Sequence, residues 1–192
     1  MIQNLLIIGA GIYGLVAKEI AESMGGFPRI DFVDDGAKET PDGTQVIGTT
    51  RDLIELSKRY ANVVVAIGNP EVRQKLIQYI EEETLLRLVT LVSPRAYVSP
   101  SAQIGKGCIV EPMAVVHTGV VLGKGCLICA GVVVNHAAMC GDCVQVDCNA
   151  VVAGNTVVPS GIKIAAGTVY EKKKPHGPVL IDGLEYRFED GM

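Results

Sequence analysis

From Val92 to Ile164 every sixth residue is aliphatic, with one cysteine as the exception: Val92, Val98, Ile104, Val110, Val116, Leu122, Ile128, Val134, Cys140, Val146, Val152, Val158 and Ile164. An α-helix repeats every ~3.6 residues and a strand every two, so neither keeps this phase for long, and the segment is a repeat architecture. Two residues before most of these positions stands a small or β-branched side chain: Ala96, Ala102, Cys108, Ala114, Val120, Cys126, Val132, Ala138, Val144, Ala150 or Thr156. Each unit is therefore a short strand and a corner, with one aliphatic plug and one smaller inward group. Gly105, Gly123 and Gly141 directly follow a plug, where the chain is expected to turn. Units of this size bury their apolar side only against their neighbours.

The pattern is that of the hexapeptide repeat, and the segment resembles a left-handed parallel β-helix. The resemblance implies three hexads per triangular coil, so that residues 18 apart in the sequence stack directly, at a strand spacing of about 4.8 Å. About four coils are then expected. Their handedness departs from the usual right-handed crossover and comes from the resemblance alone. Families with this repeat are mostly acyltransferases that use acetyl-coenzyme A, although metal-dependent hydratases and structural proteins share the architecture.

Composition narrows the classes. The 192 residues are 48% hydrophobic yet contain three Phe, six Tyr and no Trp, as narrow coils filled by Val, Ile, Ala and Gly require. A formal charge of −4 gives no footprint for nucleic acid. The opening Met1–Gly11 stretch reads as a strand entering a glycine turn. It lacks a basic leader and is too short for a signal peptide or a membrane span, so a cytoplasmic protein is expected. Cys126-x-x-Cys129 and Cys140-x-x-Cys143 have the spacing of a zinc site. The hexad phase speaks against one. Cys108, Cys126 and Cys140 fall at inward positions, while Cys129, Cys143 and Cys148 fall at other phases, so the four thiolates do not converge. No metal is expected, and the cysteines read as reduced and buried.

Residues 1–90 carry no hexad. Apolar strands at Leu5–Ile8, Ile30–Val33 and Val63–Ile67 alternate with helical stretches at Leu15–Met24, Arg51–Tyr60 and Glu71–Glu82, with a further short segment at Gln45–Ile47. Such alternation implies parallel βαβ units. Gly9-Ala10-Gly11-Ile12-Tyr13-Gly14 is a G-x-G-x-x-G turn opening a helix, and Asp34 lies 20 residues beyond Gly14. Glycines at this spacing let backbone amides approach a diphosphate at a helix N-terminus. About 90 residues are too few for a full dinucleotide fold, and no hydride-transfer apparatus is visible. A mononucleotide site gripping a nucleotide sugar fits the length better; the alternative is a turn that merely packs helix on strand.

Taken together, Gly9–Gly14, Phe32-Val33-Asp34-Asp35, Val65-Ala66-Ile67-Gly68-Asn69 with Arg73, and the hexads resemble the bacterial UDP-amino-sugar N-acetyltransferases of sialic-acid and bacillosamine pathways. The resemblance runs to about Tyr170. It implies a Rossmann-like α/β half domain over residues 1–90 and a left-handed β-helix over 91–170, followed by a basic linker and hairpin over 171–192. It also implies that Gly9, Gly11, Tyr13, Gly14, Asp34, Asp35, Gly68, Asn69 and Arg73 face a UDP-amino sugar, and that acetyl-coenzyme A binds between the prisms of a homotrimer. His136, two residues after a plug in Val134-Asn135-His136, would be the general base. Gly154, 18 residues on, would offer its amide to the acetyl carbonyl. The competing reading of His136 is a corner side chain hydrogen-bonded to a neighbouring coil.

The chain departs from that pattern in several places. Where the resemblance expects an acid after the histidine stands Ala137, and a second histidine nine positions on is replaced by Gln145. Either Asp142 or Asp147 then orients the ring, or the chain is an impaired, nucleotide-sugar-binding or regulatory relative. A sugar O-acetyltransferase is a further alternative. A hydratase would need a histidine five residues after His136, where Gly141 stands. Lys172, Lys173 and Lys174 follow the last coil and read equally as a solvated cap or as contacts to coenzyme A phosphates. The terminal segment reads as a hairpin with a tight Asp182-Gly183 turn, placed to cover the bare edge of the last coil.

Overall fold

The computed structural model describes residues 3–172 and 179–186. Lys173, Lys174 and His176 lie outside the described residues. The first part of the chain runs β1 (Leu5–Ile8), α1 (Ile12–Met24), β2 (Ile30–Val33), a 3-10 turn (Thr50–Asp52), α2 (Leu53–Leu56), β3 (Asn62–Val65), α3 (Pro70–Glu83) and β4 (Arg87–Leu88). The four strands are parallel in the order β2-β1-β3-β4. Leu6, Ile8, Val63 and Val65 pack with Leu53, Ile77 and Ile80. Leu5, Ile7 and Val64 turn to the other side, against Ala17 and Ile20. Helices on both faces explain why these strands are continuous apolar runs.

Because β1 lies between β2 and β3, the chain leaves β1 and β3 toward opposite sides and opens a crevice at their C-terminal ends. The helix expected at Arg51–Tyr60 is shorter. A capping box between Thr49 and Asp52 starts a 3-10 turn, and α2 ends at Leu56 as Tyr60 turns into the core, its hydroxyl donating to Asp31 at 2.5 Å. Gln45–Ile47 contributes only the bridges Phe32↔Val46 and Glu39↔Gln45.

The second part consists of two-residue strands, β5–β18, from Leu91–Val92 to Val169–Tyr170. They stack in parallel at 18-residue intervals into three faces. The first face has outward residues Leu91, Ile109, Leu127, Gln145 and Lys163, and the second Tyr97, Val115, Val133, Val151 and Val169. The third has Gln103, Val121, Met139 and Val157. The aliphatic series fills the interior as a single core that includes Cys108, Cys126 and Cys140. This is the left-handed parallel β-helix behind a Rossmann-like half domain that the sequence pattern implies.

The turning residues differ from expectation. Left-handed backbone recurs every six residues at Gly107, Met113, Gly119, Gly125, Gly131, Ala137, Cys143, Asn149, Asn155, Gly161 and Gly167, with φ between 52° and 73°. Gly105, Gly123 and Gly141 have ordinary φ. They are glycines because the coils touch there: a β-carbon on Gly105 would lie 2.7 Å from the Gly123 carbonyl carbon.

Each face has its own neighbour. Leu91, Ile109 and Leu127 are sealed beneath the α1 side of the α/β part, each burial contributing about 1.5–3 kcal/mol. Strands β19 (Val179–Ile181) and β20 (Leu184–Tyr186) form an antiparallel hairpin, with Asp182 and Gly183 both at positive φ in the turn. Among the described residues the hairpin lies on the third face rather than over the end of the prism. Its Ile181 packs on Val121, Met139 and Val157 of the third face, and Asp182 pairs with Lys124 at 3.2 Å. Two valines and a methionine in one outward row are a broader apolar partner than one strand edge. The second face carries no such cover among the described residues; Tyr97 and Val169 are 56% and 67% exposed.

Candidate active site

At the crevice, Gly9 and Gly14 are packing glycines. A β-carbon on Gly9 would sit 2.7 Å from the Ala66 carbonyl oxygen, and one on Gly14 would sit 2.1 Å from the Gly9 carbonyl oxygen. Gly11 is different: nothing lies within 4 Å of its would-be β-carbon, and no side chain caps α1. The first-turn amides of α1 are therefore left for water or an anion. Asp34 shapes this turn by accepting the Ala10, Gly36 and Ala37 amides at 2.9, 2.8 and 2.8 Å. Partial burial pushes its pKa up, but the three amides outweigh that and hold the carboxyl below its usual value. Asp35 accepts the Thr50 amide and hydroxyl at 2.8 and 2.9 Å.

Across the crevice, Asn69 caps α3 by accepting the Val72 amide at 3.1 Å, with Pro70 following at the first helical position. Gly68, beside it, faces the prism, where the Oε1 of Gln145 would be 3.6 Å from a β-carbon on Gly68. That oxygen is buried without a hydrogen-bond partner among the described residues, while Nε2 donates to Asp147 at 2.6 Å. The first face thus turns from apolar to polar at the rung where the α/β part ends.

Two residues expected to face the substrate have their polar groups buried. Arg73 is fully buried, and its guanidinium donates to the carbonyls of Gly125 (2.8 Å), Ile67 (2.6 Å), Gly68 (3.2 Å) and Cys143 (2.6 Å). It ties α3 and the β3–α3 turn to the prism and has no surface left for a nucleotide. Burial pushes its pKa down. The Tyr13 hydroxyl is likewise sealed from solvent, against the prism corner that carries Glu111 and Cys129, so it is not open to a ligand entering the crevice.

His136 occupies the corner between the second and third faces, exposed to solvent. Its ring lies on the backbone of Gly154, one coil on, where a β-carbon would approach Cε1 and Nε2 to 2.8 Å. Neither Asp142 nor Asp147 orients the ring. Asp142 accepts the Lys124 amide, and Asp147 is held by Gln145 and Lys163. The orienting group is Asn135, whose Oδ1 accepts the His136 backbone amide at 2.8 Å and lies 2.9 Å from Nδ1. A backbone N–H is a donor only, so this amide atom is the oxygen, and Nδ1 must carry the proton that meets it. Nε2, beside Gly154, makes no hydrogen bond among the described residues. The amides flanking Gly154 are committed, Ala153 to the Tyr170 carbonyl and Asn155 to the His136 carbonyl; the Gly154 amide bonds to no carbonyl among the described residues.

Sequence reasoning missed Asn135, although its place directly before the histidine was a usable signal. It also missed a convergence of Glu111, Cys129 and Cys148, whose ligand atoms all lie within 4.8 Å of one another. Cys126, Cys129, Cys140 and Cys143 form no common cluster of ligand atoms among the described residues, and Cys143 packs beside α3. All six cysteines are free thiols. Lys172 lies over the Tyr170 ring, with its Nζ 5.7 Å from the ring centre, at the open end of the prism.

Hexads closed into a three-sided prism define the hexapeptide-repeat class, and residues 101–136 match the family described as bacterial transferase hexapeptide (six repeats). Residues 4–80 match the PglD N-terminal domain. The acetyltransferase domain of PglB from Neisseria gonorrhoeae FA1090 is 30% identical, with 97% of this chain and 100% of that one covered at a TM-score of 0.79. A structure of the same domain in complex with acetyl coenzyme A is 28% identical, covering 84% and 95% at a TM-score of 0.63. Perosamine N-acetyltransferase from Caulobacter crescentus shares the fold at 23% identity and a TM-score of 0.76, with 99% of each chain covered. UDP-N-acetylbacillosamine N-acetyltransferase from Bacillus subtilis (strain 168) is 28% identical over 113 residues, 56% of this chain and 50% of the relative. The match thus spans half the length of that curated relative. The chain belongs to the hexapeptide-repeat sugar N-acetyltransferase family that carries a PglD-type N-terminal domain.

Proposed function

We propose that the protein transfers acetyl from acetyl-coenzyme A to the amino group of a UDP-linked amino sugar, with His136 as general base. The observation that carries this reading is the fixed tautomer of His136: Asn135 holds Nδ1–H, and Nε2 is free above Gly154. Nε2 accepts the proton that the sugar amine loses as its nitrogen attacks the thioester carbonyl, and the uncommitted Gly154 amide donates to the oxyanion. Coenzyme A thiolate leaves and the acetamide remains. The Gly11 turn takes the diphosphate at the N-terminus of α1, with the Gly68-Asn69 turn and Asp35 beside it, and Lys172 reaches toward coenzyme A phosphate. An acetyl-coenzyme A complex of a relative and a relative acting in UDP-bacillosamine chemistry support the choice of both substrates.

The reading includes a trimer. The α/β part sits on the first face, and the His136 corner lies opposite, between the other two. A sugar held by the α/β part of one chain therefore meets the histidine of another. The uncovered apolar row of the second face supplies a surface for that association. Six free thiols suit a reducing, cytoplasmic setting.

The test is release of free coenzyme A from acetyl-coenzyme A with a panel of UDP-amino sugars. His136→Ala is expected to lose about 10²–10⁴-fold in turnover with an unchanged melting temperature. Gly154→Ala is expected to do similar damage by displacing the ring. A wild-type chain that binds coenzyme A and UDP-sugars but acetylates none would be a binding protein. One that binds no coenzyme A would overturn the transferase assignment.

A further inference from the structure

Three groups outside the acetyl-transfer site converge on the corner between the first and second faces. Glu111, Cys129 and Cys148 come from three successive coils, and their ligand atoms lie within 4.8 Å of one another. Glu111 and Cys129 are 8% and 5% exposed, while Cys148 opens to solvent. Glu111 accepts the Ala130 amide at 3.1 Å, and no lysine or arginine pairs with it among the described residues. The nearby guanidinium of Arg73 is already spent on four carbonyls. A fourth donor lies beside them: the Tyr13 hydroxyl, from the first turn of α1, is sealed from water next to Glu111.

We infer that Glu111, Cys129 and Cys148 form a binding site for a thiophilic divalent cation of the zinc type. Its fourth position is taken by the Tyr13 hydroxyl or by water entering beside Cys148. Two thiolates and a carboxylate form a soft, anionic donor set, which disfavours magnesium and calcium and suits zinc or cadmium. Zinc–sulfur bonds of about 2.3 Å and zinc–oxygen bonds of about 2.1 Å put tetrahedral donors roughly 3.5–3.8 Å apart. The trio reaches that spacing by small side-chain rotations. Binding displaces the two thiol protons to solvent, so affinity rises with pH. The ion takes no part in acetyl transfer. It bolts three coils to one another and, through Tyr13, to the glycine turn of the crevice.

The experiment uses the full chain, reduced with a phosphine and stripped of metal, titrated with Cd²⁺ or Zn²⁺ alone. One equivalent of Cd²⁺ is expected to produce a thiolate-to-cadmium charge-transfer band. Zn²⁺ is expected to raise the melting temperature and to protect Cys148, the exposed thiol, from an aromatic disulfide reagent until a chelator is added. Cys148→Ser, at an exposed position, should abolish the band without loss of fold. Glu111→Gln keeps an acceptor for the Ala130 amide and should weaken Cd²⁺ binding at least tenfold. No band, or a band of equal size and affinity in both Cys148→Ser and Cys129→Ser proteins, would overturn the assignment. So would Cys148 labelling that Zn²⁺ leaves unchanged.

Discussion

At the scale of single residues, the His136 corner shows a substitution of positions. The position after the histidine is Ala137, at a φ of 52° in the left-handed turn, with no side-chain group to hold the ring. The preceding residue takes over, because a corner that turns at 137 leaves the Asn135 side chain free to fold back on the next amide and ring. Asn135→Ala would remove a hydrogen bond worth about 1–1.5 kcal/mol and release the ring to the other tautomer. Turnover is expected to fall about tenfold or more, with the melting temperature almost unchanged. Asn135→Asp keeps the acceptor and adds charge toward the imidazolium, so it should retain activity. Ala137→Glu should change little, since Nδ1 is already held. Steady-state kinetics on the three variants separates these cases; equal loss in Asn135→Ala and Asn135→Asp would contradict the orienting role.

Single elements teach a different lesson, about which signals sequence carries. The interior rows were legible because their period is unlike that of a helix or a plain strand, and β1, β2 and α3 were found nearly to their ends. The corners were not. Gly105, Gly123 and Gly141 draw the eye, yet the turn falls two residues later, on Met113, Ala137 and Asn149 as readily as on glycine. Arg73 is a ligand contact by the resemblance alone. Nothing in an amphipathic pattern says that one arginine points inward onto Gly125 and Cys143. The Glu111–Cys129 stack obeys the 18-residue register and could have been read, whereas Cys148 lies one position out of phase. Arg73→Met is expected to destabilise the fold by about 3–5 kcal/mol, because it strands four carbonyls and unfastens α3 from the prism. Denaturant unfolding measures this. A nucleotide-contact residue would instead weaken UDP binding and leave the unfolding midpoint in place.

For the whole molecule, the three faces divide the labour: the first carries the α/β part, the third the hairpin, and the second is uncovered among the described residues, where the proposed trimer would form. If sites form between chains, two inactive variants should rescue each other. Gly11→Glu sets a carboxylate in open space where a diphosphate would bind, and His136→Ala removes the base. Unfolding and refolding the two together should recover a fraction of wild-type turnover, while each refolded alone should stay inactive. Absence of rescue in a confirmed mixed oligomer would place both halves of the site in one chain. The left-handed corner that recurs every six residues also constrains how such a gene can change length. Losing one codon inside the prism would send every later plug outward and every later corner out of step, and losing six would exchange one face for the next. Only whole circuits of 18 codons leave His136 over its glycine and the outer rows facing their partners, so relatives should differ in prism length by complete turns, like beads removed from a string.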